Sequence, residues 1–166
     1  MALGGAFTAL ANDPSAIHFN PAGITQLSGT MIYGGVTFIS PRSSFRGPAP
    51  EVTEWKLDEG IFTPINLYGS HQLNDDWYIG IGINNPYGLG TKWDQGWVGR
   101  YIAVETKIRT FYVNGVTAYK FSDKFSAGLG IQFAYGDVLI KRDLTNESLQ
   151  RFDQESNIDM EGDGTG

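Results

Sequence analysis

The chain has 166 residues, a formal net charge of −6, 18% charged residues, 22 glycines and no cysteine. Ordinary soluble domains carry roughly 25% charged residues and about half this share of glycine. The acidic balance without a basic stripe excludes nucleic acid as a partner, and the lack of cysteine excludes disulfide frameworks and thiolate metal centres.

The length fits one domain with a sizeable core. No apolar run approaches the roughly 18 residues of a membrane-crossing helix, so any crossing is made by strands. Met1 is followed by no charged n-region or apolar h-region. No signal peptide is therefore expected, which fits a cytoplasmic protein or one whose sequence starts after a signal.

The first 28 residues differ from the rest. The small residues of Leu3-Gly4-Gly5-Ala6-Phe7-Thr8-Ala9-Leu10-Ala11 suit a short helix. Asn12-Asp13-Pro14 offers capping side chains and a proline for the first turn of a second one. Ile17-His18-Phe19-Asn20-Pro21-Ala22-Gly23-Ile24 reads as a turn that ends it. Such compact, irregular sequence is a poor domain and a plausible plug, so 1–28 is set apart from 29–166.

From Thr30 the pattern is β. Residues 30–38 alternate loosely, with Ile32, Val36 and Phe38 against Tyr33, Gly35 and Thr37. Residues 41–60 hold three prolines and scattered charges and read as a loop. A second strand covers 61–73, with Ile61, Ile65 and Leu67 opposed to Phe62, Asn66, Ser70 and Gln72. Asn74-Asp75-Asp76 makes a tight turn. In the third strand Trp77, Ile79, Ile81 and Ile83 alternate strictly with Tyr78, Gly80, Gly82 and Asn84. Asn85-Pro86 then interrupts a pattern that continues through Tyr87, Gly88 and Leu89. Proline gives no N–H to a ladder, so this strand is expected to be broken near its middle or upper end. A loop over 91–103 carries Trp93, Trp97 and Tyr101. A fourth strand spans 105–121, Ser122-Asp123-Lys124 turns, and a fifth spans 125–136 with Ile131 and Phe133 against Gly130 and Gln132. Residues 143–157 read as polar loop, and Ile158 opens a sixth strand.

Connections therefore alternate long and short, with aromatics flanking both ends. That arrangement, with strands longer than the 5–6 residues usual in soluble proteins, points to an antiparallel transmembrane β-barrel. A soluble sandwich or lipocalin-like barrel shows the same alternation but expects charge on its outer face. Residues 77–89 and 125–136 carry none.

LGGAFTALANDPSAIHFNPAGITQLSG, followed by a strand, resembles the N-terminal hatch of the FadL/TodX family of outer-membrane transporters for long-chain fatty acids and other hydrophobic compounds. The triplet Asn20-Pro21-Ala22 is its most specific piece. LNDDWYIGIGIN, PYGLGTKW and FSDKFSAGLGIQFAYGDVLIKRD resemble the family's third to fifth strands, so the likeness covers nearly the whole chain in order. It implies a 14-stranded barrel in the outer membrane of a Gram-negative bacterium, of which this chain is the N-terminal part, monomeric when complete. It also implies a helical hatch within the barrel and a kinked third strand that opens the wall sideways.

The expected gate is a contact of Asn20, Pro21 and Ala22 with the break at Asn85, Pro86, Tyr87 and Gly88. Read from the residues alone, the triplet is an ordinary turn, and the alternative to a break at Pro86 is simply the end of its strand. The expected lumen lining is Met31, Tyr33, Phe62, Gly82, Asn84, Tyr112, Asn114 and Val116, beside Asn66 and Gln132. Glycine and alanine on that face leave space for a ligand or for the plug.

No catalysis is expected, since His18 and His71 stand in no recognisable nucleophile motif. Asp159-Met160-Glu161-Gly162-Asp163-Gly164 spaces acids like the start of a calcium loop, yet reads more simply as an acidic loop or strand start. Gly80-Ile81-Gly82 lies in a strand, so no phosphate loop forms there. No cofactor is expected. The expected function is passive uptake of long-chain fatty acids or other hydrophobic molecules with lateral release into outer-membrane lipid. The alternatives are a structural or adhesive outer-membrane barrel and a soluble lipid-binding β-barrel.

Overall fold

The computed structural model describes residues 7–58, 60–144 and 156–165. Residues 3–6 of the expected first helix, and most of the expected loop at 143–157, lie outside the described residues. Residues 7–10 form a turn rather than a helix.

The N-terminal segment contains one helical turn, α1 (Ala16–Phe19), and a 3-10 helix, Pro21–Gln26. The Asp13 carboxylate accepts the Ser15 N–H at 2.8 Å and fixes the turn that leads into α1. The helix stops at Asn20, which is extended at φ −158° because the following proline disfavours helical geometry there. Pro21 then opens the 3-10 helix, where its missing N–H costs nothing.

The strands are β1 (Thr30–Val36), β2 (Ser44–Arg46), β3 (Glu54–Lys56), β4 (Ile65–Gln72), β5 (Trp77–Asn84), β6 (Gly88–Lys92), β7 (Glu105–Ser122), β8 (Phe125–Leu144) and β9 (Ser156–Thr165). They form one antiparallel sheet in the order β1-β4-β5-β7-β8-β9, with β6 also beside β7, and a small hairpin of β2 with β3. The sheet is open, edged by β1 and β9, so this chain does not close a barrel. The β2–β3 hairpin lies inside the stretch expected to be loop. β4 is shorter than the expected 61–73, although Phe62 still bridges Ile39. β8 runs well past residue 136, and the acidic run at 159–164 belongs to β9, paired with β8.

Register fixes two faces. One row reads Ser70, Gly80, Val116 and Gly130, and the next reads Gly69, Ile81, Gly115 and Ile131. The first kind of row carries the N-terminal segment. Ala11, Ala16, Ile17, Ile24 and Leu27 form the core there with Tyr68, Tyr78, Val116 and Ala118. The second kind is bare and apolar, with Ile32 78% and Ile131 80% exposed. A contiguous exposed apolar face of this extent marks a surface made for lipid or for another protein.

Along β7 the bare face is apolar or aromatic from Phe111 to Tyr119, relieved only by Gly115 and Thr117. Nine residues is what a tilted strand needs to cross a bilayer, about 9–11. Above Phe111 the same face turns charged, with the Arg109–Asp137 ion pair at 3.0 Å. Below it, Trp77, Tyr119, Phe121 and Phe125 pack ring to ring, at 4.9, 4.8 and 5.4 Å between successive centroids.

Candidate functional site

β5 stops at Asn84 and β6 resumes at Gly88, both against β7. Asn84 pairs with Tyr112 and Gly88 with Arg109, so Asn85, Pro86 and Tyr87 face only Phe111 and Thr110. The extra residue makes a bulge, and a one-residue slip exchanges faces. Ile83 shares the bare face with Val113, whereas Leu89 pairs with Ile108 and turns to the covered face.

The backbone freed by the break is satisfied locally. Asn85 N–H donates to the Ile65 carbonyl at 3.2 Å, and Ile65 N–H donates to Asn85 Oδ1 at 2.8 Å. The side chain thus replaces the last rung between β4 and β5. Across the other edge, Thr110 Oγ1 accepts the Tyr87 N–H at 3.1 Å and Thr110 N–H donates to the Tyr87 carbonyl at 2.8 Å.

Beyond Asn85 the wall parts. The ladder of β4 on β5 ends at the Asn66–Asn84 pair, and the chain before β4 turns to Ile39 instead. β6 is laddered only to β7, rejoined on its far side by Asp58 N–H to the Lys92 carbonyl at 2.8 Å. Between lies a cleft of about 150 Å³ whose walls include Gly60, Phe62, Gly90, Thr91 and Thr106.

The N-terminal segment sits lower on the covered face. Ile17 presses on Gly80 and Gly82, where a β-carbon would stand 2.8 Å from its Cδ1 and 3.1 Å from its Cγ2 respectively. Pro21 and Ala22 cross Gly128, where a β-carbon would meet the Ala22 nitrogen at 2.5 Å, and Ser126 Oγ donates to the Ala22 carbonyl at 3.4 Å. Both approaches are possible only against glycine. Burial lowers the His18 imidazole below its ordinary pKa and its ring packs edge-on to Phe19, whereas His71 hydrogen-bonds Thr30 at 2.7 Å on the bare face.

The structure therefore does not bring the two halves of the expected gate together. Asn20 Nδ2 donates to the Thr8 carbonyl at 3.0 Å, and its neighbours lie on Gly128, level with Tyr78 through Ala118. Asn85 stands seven residues further along β5, roughly 23 Å at strand rise. The physical reason is that Asn85 and Thr110 already supply the missing partners.

The expected lining fares differently. Met31, Tyr33, Gly82, Asn84, Tyr112, Asn114 and Val116 all share the covered face by register, and Phe62 stands in the cleft wall. Sequence reasoning missed Ile17, Tyr68 and Thr110. Ile17 and Tyr68 look like ordinary apolar residues until the glycines opposite them are known, and Thr110 carries no signal at all.

At the long-loop end, Trp93 stacks on Trp97 at 4.5 Å, the Trp97 indole donates to the Ala103 carbonyl at 2.8 Å, and Phe45 meets Trp97 edge-on at 6.1 Å. Arg100 lies 4.5 Å over the Tyr101 ring and 3.4 Å from Asp143. Among the described residues no helix is long and apolar enough to cross a membrane, and no acid or histidine cluster is arranged to hold a metal.

Known proteins resemble this chain throughout. It is 28% identical over 137 residues to the long-chain fatty acid transport protein of Escherichia coli K12, covering 81% of this chain and 30% of the relative. It is 27% identical over 106 residues to a 47 kDa outer membrane protein of Pasteurella multocida, covering 64% and 24%. It is 23% identical over 152 residues to outer membrane protein P1 of Haemophilus influenzae, covering 81% and 33%. The chain thus spans between a quarter and a third of the length of these relatives. The crystal structure of a Pseudomonas aeruginosa FadL homologue superposes with a TM-score of 0.68 at 21% identity, over 93% of this chain and 42% of that one; this likeness speaks for the fold. The family model for outer membrane protein transport proteins of the OMPP1/FadL/TodX type matches residues 1–166, and the chain belongs to that outer-membrane family.

Proposed function

We propose that this chain forms the substrate-releasing wall and the plug of a passive outer-membrane channel for hydrophobic molecules, long-chain fatty acids among them. The covered face is the lumen and the bare face meets lipid. The N-terminal segment floors the lumen at the level of Gly80 and Gly82, and the wall parts above Asn84. A molecule entering from the long-loop end therefore meets a floor before it meets a way down, and its open path is sideways. The driving force is desolvation of the acyl chain, roughly 0.8 kcal/mol per buried CH₂, first into the lumen and then into lipid. Lateral release spares the chain a return to water, and no energy source is needed for a flow down its gradient.

The observation that carries this reading is the unladdered edge of β6 beside the cleft at Phe62 and Gly90. A lipid-facing wall otherwise pairs every backbone group, because each orphan costs several kcal/mol. Register supplies the test. Deleting Pro86 leaves two residues opposite Phe111 and Thr110, which heals the bulge while Leu89 keeps Ile108 as its partner on the covered face. In the complete barrel this deletion should abolish uptake of a radiolabelled fatty acid while leaving its binding at the outer rim. Uptake at the normal rate by a folded deletion variant would refute lateral release here.

A further inference from the structure

From the level of Gly82 up to the cleft, the covered face carries a polar band. Gln132 Nε2 donates to Asn114 Oδ1 at 2.7 Å, and Asn114 Nδ2 donates to Asn84 Oδ1 at 3.2 Å. Asn84 is the register partner of Asn66 on β4, so the row continues there. Asn84 and Asn114 are buried, 6% and 4% exposed. Asn114 and Gln132 are register partners one row lower, level with Gly82 and Tyr68, and the row beneath them is Ser70, Gly80, Val116 and Gly130. Four amides thus run obliquely across four strands, over two neighbouring rows of the wall.

This amide row has a direction and it ends unfinished. Gln132 and Asn114 each pass a donor toward β4, and at the terminus Asn66 Oδ1 is buried with no hydrogen-bond partner. Such an orphan costs about 1–3 kcal/mol, which a partner would recover. Asn84 Oδ1 is taken by Asn114, so what Asn84 has left to offer the lumen is its N–H donors. The end of the row therefore presents donors from Asn84 beside an acceptor on Asn66, with register-paired β-carbons about 4.5–5.5 Å apart. The Asn66 amide needs only a turn about its soft terminal torsion to aim that acceptor inward. None of the row's four members is charged.

We infer that the Asn66–Asn84 end of this row is a binding site for the neutral hydroxyl of an amphiphilic cargo, a long-chain alcohol or a protonated carboxylic acid. A hydroxyl gives its proton to Asn66 Oδ1 and accepts from Asn84 Nδ2, satisfying both ends. An ionised carboxylate has no proton to give and finds no cation in the row, and an alkane does neither. The row lies at the level from which the cleft opens, so it holds the head while the tail is free to leave through the gap. This inference rests on the transport reading and names the head group that such a channel would select.

The experiment uses the complete barrel in outer-membrane vesicles and three probes of one chain length: dodecan-1-ol, dodecane and dodecanoate at pH 8. Asn66→Leu removes an orphaned acceptor, so it leaves folding intact or improves it. Asn66→Ala serves should leucine crowd Gly35, whose β-carbon would lie 3.4 Å from Asn66 Oδ1. The expected result is a roughly tenfold loss of dodecanol affinity in the variant, the equivalent of one good hydrogen bond, with dodecane and dodecanoate unchanged. Equal losses for dodecanol and dodecane, or no loss for either, overturn the site. Failure of the unaltered barrel to take up any of the three overturns the transport reading itself.

Discussion

Replacing Gly80 by alanine sets the N-terminal segment against the sheet it covers. A β-carbon at position 80 would stand 2.8 Å from Ile17 Cδ1, 2.9 Å from Ile17 Cγ1 and 3.0 Å from Val116 Cγ2. Ile17 is 2% exposed and has little space to retreat into. Overpacking of this kind costs about 1–3 kcal/mol. The atoms in the way belong to the N-terminal segment as much as to the sheet, so the cost should fall on docking of that segment. Ile17→Ala alone removes three buried carbons and should cost about 2–5 kcal/mol, toward the low end if α1 settles inward. In the double variant the alanine methyl at 80 enters the space that isoleucine left. The two changes should then destabilise by about 1–2 kcal/mol less than their sum. Guanidinium unfolding of the complete barrel in lipid vesicles gives the stabilities, and protease nicking of the N-terminal segment reports its docking. Gly69→Ala is the control, since nothing lies within 4 Å of a β-carbon there. Additivity within about 0.5 kcal/mol would refute the contact as the thing that seats the segment.

Two further outcomes test orientation. Ile81→Arg, on the bare face between Gly69 and Gly115, should destabilise the complete barrel by about 2–4 kcal/mol in guanidinium titrations if it sits near the bilayer midplane; a negligible effect would place that face elsewhere. Cysteines at Gln95 and Asp123 lie at opposite ends of the sheet, so an impermeant maleimide added to whole cells should label the first and spare the second, and the reverse pattern would invert the topology.

Period-2 alternation was legible because the barrel wall has two chemically opposite faces. Ile79, Ile81, Ile131 and Phe133 could be assigned to one face from sequence because, Tyr78 apart, their neighbours are glycine, alanine and glutamine. The break at Pro86 was legible for a different reason, since proline deletes a donor whatever surrounds it. What the break does was not. Its consequence depends on counting residues against β7, and only the pairing of Gly88 with Arg109 reveals that three residues face two. The β2–β3 hairpin was hidden by Pro41, Pro48 and Pro50, because its strands are three residues each and carry too few positions to show a period. The position of Asn20-Pro21-Ala22 was illegible in the same way: the sequence shows a turn able to lie against a wall, while the choice of Gly128 over Asn85 depends on where glycine lets a backbone come within van der Waals reach.

That choice explains how a break in the wall can coexist with a folded sheet. An opening whose backbone was capped by the N-terminal segment would close whenever the segment docked, tying two events together through one contact. Here Asn85 and Thr110 complete the hydrogen bonds on either side of Pro86 from within the wall. The cleft is therefore stable whatever the segment does. The segment in turn is held chiefly by shape, Ile17 against Gly80 and Gly82 and the Pro21–Ala22 backbone against Gly128, with the 3.4 Å bond from Ser126 adding little. Contacts of that kind lose little when they slide, because apolar surface keeps most of its burial until the groups separate. The segment and the cleft are thus independent parts on one sheet.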